Sequence, residues 1–295
     1  MRSVGFLWLS LLASAGSPTL QRALSVELEA PVIVDIAVMR GDITVGYSRD
    51  GQVSIYAFAQ DSNGRSFLME TLQSRLAIEQ VNNRITIRDS RQPADLEAGL
   101  RISYRIDVPS RTEVKSSISV AGNQTVVGVS GPVTVVTSVG DIDVSYVDTE
   151  VVKAETGRGN ISCSRAARVE AATGSGNITL MENGPSKAIV KKGVGRIEVG
   201  GARGSFEGST DKGEVHLRAV LWDDWRLTSA SGNLRVELPK GAKFEVDLAT
   251  GAGEISLART DMKKLDAEAR QYRQKVNGGG KVIYARSQTG SISIE

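Results

Sequence analysis

The stretch "ATGSGNITL" at residues 172–180 decides the fold. Alone it reads as a glycine loop of the kind that cradles phosphate. However, "ETGRGNISC" precedes it at 155–163 and "ATGAGEISL" follows at 249–257. A phosphate loop of that kind also needs a helix N-terminus directly after it, and here an alternating, strand-like run follows each glycine turn. The turn is therefore one copy of a repeat.

Anchored on the glycine before the polar residue, the copies fall at Gly140, Gly159, Gly176, Gly195, Gly213, Gly232 and Gly253, spaced 19, 17, 19, 18, 19 and 21 residues apart. Two positions after the anchor stand Ile142, Ile161, Ile178, Ile197, Val215, Leu234 and Ile255. Four after stand Val144, Cys163, Leu180, Val199, Leu217, Val236 and Leu257. Seven before stand Val133, Val152, Val169, Ala188, Phe206, Trp225 and Val246, with Val135, Ala154, Ala171, Val190, Gly208, Leu227 and Leu248 five before. Apolar and polar positions alternate on both sides of the turn, the period of a strand with one buried face.

Two polar columns accompany the aliphatic ones. Three before the anchor are Thr137, Thr156, Thr173, Lys192, Thr210, Ser229 and Thr250, six of the seven being hydroxyls able to bond one another or the turn backbone. Directly after it are Asp141, Asn160, Asn177, Arg196, Glu214, Asn233 and Glu254. Recurrence of one residue type in one column predicts translated copies, an all-β single-domain β-solenoid (parallel β-helix-like) with rungs of about 18–19 residues. A meander of antiparallel hairpins is the alternative.

The flanks are less regular. Residues 26–120 read as irregular N-terminal rungs with a covering hairpin, in which Val34, Ile36, Ile43 and Val45 repeat the columns around Gly41. Regular rungs run over 121–260. Residues 261–275 are a charged insertion or short helix, and 276–295 a closing rung on Ile283, Ala285, Ile292 and Ile294. No linker divides 26–295, which reads as one domain.

Composition narrows the function. Hydrophobic residues make 40% of the chain but aromatics only 5%, so the core must be thin layers of Val, Ile, Leu and Ala. A net charge of +2 offers no footprint for nucleic acid. One cysteine and one histidine exclude an internal disulfide and a Cys/His zinc site, and nothing calls for a cofactor. At the start, Arg2 precedes "VGFLWLSLLASA", too short to span a bilayer. Residues 1–15 are expected to be a signal peptide, with cleavage as late as 25 the alternative, and no further apolar run reaches membrane-spanning length.

The segment "RISYRIDVPSRTEVKSSISVAGNQTVVGVSGPVTVVTSVGDIDV" resembles the entry segment of the bacterial "putative adhesin" β-strand-repeat family. "DWRLTSASGNLRVELPKGAKFEVDLATGAGEISL" and "VNGGGKVIYARSQTGSISI" resemble its later rungs and closing segment. The resemblance implies a β-helix-like fold in the bacterial envelope and carries over no catalytic residue. It is a family of largely unknown function.

Single residues add little chemistry. His216 is expected on the outward face, between Glu198 and Arg235, where a Ser/His/Asp relay lacks its buried carboxylate. Cys163 is expected in the core. A glycosidase needs two carboxylates across a groove, and the outward column Asp143, Ser162, Thr179, Glu198, His216, Arg235, Ser256 never places acids on adjacent rungs. In "LWDDWRL", Trp225 belongs to the buried column, while Trp222, Asp223 and Asp224 form an extended turn whose exposed ring could stack on a sugar. The expected protein is an exported, non-catalytic adhesin-like or envelope scaffold of periplasm, envelope or exterior, meeting an envelope glycan or a protein surface. A polysaccharide lyase or hydrolase on the same fold, and a self-assembling structural protein, remain as alternatives, and homo-oligomerisation is left open.

Overall fold

The computed structural model describes residues 20–60, 72–89, 99–263, 265–266 and 268–295, with backbone alone at 148–150 and 191–193. The expected signal peptide lies outside the described residues, as does the Lys192 side chain. Strands before the glycine turn stack in one column and strands after it in a second. Within both, neighbouring rungs pair in parallel and in the register that the glycine anchors predict. Val152 pairs with Val133 and Val169, and Ile178 with Ile161 and Ile197. The meander is thereby excluded.

The interior is the expected aliphatic stack, and Ile142, Ile161, Ile178, Ile197, Val215 and Leu234 are all buried. Three large rings, Phe206, Trp225 and Phe244, also lie inside. Gly208 makes room for the first: a Cβ there would stand 2.7 Å from Cε1 of Phe206. The buried Trp225 indole donates to the Gly204 carbonyl at 3.2 Å.

The two polar columns tie each rung to its neighbour. Thr137, Thr156 and Thr173 donate their hydroxyls to the carbonyls of Gly122, Gly140 and Gly159 at 3.1, 2.9 and 3.0 Å. The hydroxyls thus satisfy turn backbone rather than each other. After the glycine runs an Asx ladder, in which Asp141 Oδ1 accepts from the Asn160 amide at 2.7 Å, and Asn160 and Asn177 each accept from the next amide at 2.9 Å. The threonines give buried corner carbonyls their partners, while the Asx ladder ties the exposed side of the same corner.

A second corner closes each rung. There Gly128, Tyr146, Arg165, Glu182 and Gly201 share a left-handed backbone with φ between 53° and 75°. Arg165 stacks 5.0 Å from the Tyr146 ring centre and pairs with Glu182 at 3.0 Å, so successive corner side chains clasp.

Both ends depart from chain order. The 32–47 rung lies between strands Arg84–Asp89 and Arg101–Val108 on one side and the 112–127 rung on the other, pairing with both. At the other end the 281–295 segment does not finish the stack. Its strands Lys281–Ser287 and Ile292–Ile294 lie between the 225–237 and 244–257 rungs. The 244–257 rung is outermost, which leaves Ile255 and Leu257 half-exposed although their column is buried elsewhere. The charged segment contributes a strand, Gln271–Val276, antiparallel to Phe244–Thr250 as a cap. Antiparallel strands also cap the opposite end: Leu20–Ser25 pairs with Gln52–Gln60, and Leu76–Val81 with Arg84–Asp89.

Candidate functional site

The connection at 219–224 leads from the second column to the first and carries Trp222. Its ring is 64% exposed, and Val220 beside it is 49% exposed, whereas Trp225 is buried as expected. The two aspartates do not project freely. Asp223 Oδ1 accepts from Lys281 Nζ at 2.9 Å and from the Asp224 amide at 3.0 Å, and Asp224 Oδ1 accepts from the Val282 amide at 2.8 Å. The Lys281 hydrogen bond holds the Asp223 carboxyl below the usual carboxylate range and raises the lysine in return. The pair fastens the 281–295 rung to its neighbour and stiffens the loop that presents Trp222. Leu221 packs against the core from the same loop.

His216 faces outward and is half-buried, between Glu198 and Arg235 as expected. Its Nε2 lies 2.9 Å from Glu237 Oε1, and that hydrogen bond is the main cause holding the Glu237 carboxyl below its usual value. Arg235 bridges Glu237 at 3.1 Å and Glu295 at 2.7 Å. This is an ion-pair network on a sheet face, with no nucleophile on the ring. Cys163 is wholly buried; burial, then the Asp143 charge, pushes its thiol up to about 12, so no reactive thiolate forms at neutral pH.

A further charged column went unread in the sequence. Lys153, Glu170, Lys187, Glu207 and Arg226 are successive neighbours on the outer face of the first column, followed by Tyr284, Asp247 and Arg273. Signs alternate along it: Lys187 meets Glu207 at 3.2 Å, and Arg273 meets Asp247 at 3.0 Å. Tyr284 is stacked by Arg226 at 4.7 Å and Arg286 at 3.8 Å. Its period of 17–20 residues was the available signal. An open groove of about 780 Å³ runs along the glycine corner of the early rungs, past Arg40, Asp42, Phe58 and Arg101. There Arg101 pairs with Asp42 at 3.3 Å, and Asp42 accepts from the Asn123 amide. Among the described residues no three His, Cys, Asp or Glu side chains are grouped to hold a metal, and no helix is long and apolar enough to cross a membrane.

The model of one family, Toastrack DUF4097, matches residues 32–295. No curated protein matches the chain. Among solved structures, a "putative lipid binding protein" from Parabacteroides distasonis is similar over 95% of this chain and 97% of its own, at 11% identity and a TM-score of 0.52. A "putative adhesin" from Bacteroides fragilis is 13% identical over 94% of this chain and 96% of its own, at a TM-score of 0.36. At such identities the first likeness speaks for the fold alone.

Proposed function

The chain belongs to the Toastrack DUF4097 family, and from that premise we propose that it is a non-catalytic scaffold of the bacterial envelope that binds a partner through its surface. The observation that carries this reading is Trp222, a 64% exposed indole on a loop pinned by Asp223 and Asp224. An aromatic face held rigidly in solvent loses little entropy when a sugar ring stacks on it. An envelope glycan is therefore the proposed partner class. Asp247, Glu207 and Glu237 each face a cation, and acids are not adjacent in the outward column, which speaks against a paired-carboxylate hydrolase. Antiparallel caps cover the first column at both ends, which disfavours end-to-end assembly through that column.

Immobilised glycans probed with the mature protein test the reading. Binding should fall at least about tenfold in Trp222→Ala, roughly the 1.4 kcal/mol that a stacked ring contributes, and stay unchanged in His216→Ala. Equal binding by Trp222→Ala, or glycan cleavage lost in His216→Ala, overturns it.

Export is part of the same proposal. Residues 20–25 form a strand hydrogen-bonded to Gln52–Gln60, so cleavage after residue 15 keeps that cap and cleavage at 25 removes it. Expressed in a bacterial host, the secreted protein should have an intact mass that begins near residue 16. An unprocessed cytoplasmic chain sinks the localisation.

A further inference from the structure

We propose that the 281–295 rung is an inserted latch: the 244–257 rung first docks directly on the 225–237 rung, and 281–295 then enters between them. The order in space requires one of these rungs to skip its neighbour, because 225–237 and 244–257 follow each other in sequence yet are held apart by 281–295. Both rungs offer the same contact surface to Trp225, Leu227, Ser229, Leu234 and Val236. One presents Val246, Leu248, Thr250, Ile255 and Leu257; the other presents Ile283, Ala285, Ser287, Ile292 and Ile294 in identical spacing.

Chain length permits direct docking. The connection 219–224 climbs one rung with six residues, and 238–243 also has six residues while climbing two. Direct docking therefore needs no longer linker than one already in use. Closure of the short loop also costs less entropy than bringing 281–295 back over the whole intervening segment, so the nearer rung arrives first.

Contacts made only after insertion then favour the final order. Lys281 and the Val282 amide reach Asp223 and Asp224 on one side. Arg286 binds the Asp247 carboxylate at 2.5 Å on the other, and the Arg226 guanidinium lies 4.7 Å from the Tyr284 ring centre. Arg259, already held by Asp261 and the Leu238 carbonyl, gains the Glu295 carbonyl at 3.4 Å once the rung is in place. Inserted, the rung pairs backbone on both edges; outermost, it would pair on one, as Ile255–Leu257 does now. Its release requires the flanking rungs to separate.

Two cysteine pairs in a full-length Cys163→Ala background test the order of events. Thr228→Cys with Ala249→Cys reports direct docking and leaves the latch contacts in place; Arg226→Cys with Tyr284→Cys reports insertion. In the final fold Thr228 and Ala249 both flank Arg286, two strand spacings or about 9.6 Å apart, beyond the roughly 6.8 Å a disulfide spans. During refolding from denaturant, the 228/249 pair should crosslink early and fall to background as the 226/284 pair becomes crosslinkable. Pulsed hydrogen exchange on the unsubstituted chain should protect amides of Phe244–Thr250 before those of Lys281–Ser287. Crosslinking of 226/284 from the first time point with none at 228/249, protection in the reverse order, or 228/249 crosslinking in the equilibrated protein would each overturn the proposal.

Discussion

Ile178→Asp should unfold the central rungs, while Thr179→Asp should leave the denaturation midpoint close to that of the parent. Ile178 is completely buried, with Ile161 and Ile197 directly in register on either side. The substitution removes a branched aliphatic from a packed column, worth about 2–3 kcal/mol. It also places a carboxylate where the surrounding column supplies only methyl groups, for a further cost of several kcal/mol. The sum, about 5 kcal/mol or more, is in the range that few domains survive. Thr179 points outward between Ser162 and Glu198. An aspartate there meets water and one like charge on the next rung, which costs about 0.2–1 kcal/mol. Chemical denaturation of both variants beside the parent is the measurement. Equal midpoints would mean that the two faces of this strand are reversed.

How well the sequence foretold these faces depended on whether the cause was local. Ile178, Thr173 and Asn177 could be placed because an inward aliphatic recurs in every copy of the turn, a hydroxyl in all but the copy with Lys192, and a polar residue after every anchor. The second corner left no such mark. Tyr146, Arg165 and Glu182 share a left-handed backbone with Gly128 and Gly201, imposed by the corner whatever the side chain. The place of the 281–295 rung was illegible for the opposite reason: its columns duplicate those of 244–257, so alignment cannot rank them. What ranks them lies far apart in sequence, as in Asp223 with Lys281 and Arg259 with the Glu295 carbonyl. At the candidate site the exposure of Trp222 and the turn role of the aspartates were foreseen, but not the lysine that fixes them. Residues 271–275 were read with 261–270 as a charged insertion or short helix because a cap strand has a solvent face and need not alternate cleanly.

Gly176→Ala should lower stability by about 4 kcal/mol or more, whereas Gly241→Ala should cost only about 1–2 kcal/mol. Both glycines have positive φ, 142° and 73°, so both changes strain the backbone. Only the first also meets a wall. A Cβ on Gly176 would stand 2.1 Å from the carbonyl oxygen of Gly159 in the preceding rung, while none of the surrounding atoms comes within 4 Å of one on Gly241. That carbonyl is the acceptor for the buried Thr173 hydroxyl at 3.0 Å. Pushing it aside strands a polar group in the interior, at about 1–3 kcal/mol, on top of the clash. The rungs below are stacked just as closely, since a Cβ added at Gly159 would stand 2.0 Å from the Gly140 oxygen and one added at Gly140 2.0 Å from that of Gly122. The corner is a column of backbones in contact, so a methyl at one level has to force adjacent rungs apart along their whole width. Midpoints of denaturation for the two variants separate this steric effect from backbone strain alone. If Gly176→Ala costs no more than Gly241→Ala, the rungs are not stacked glycine on glycine at this corner.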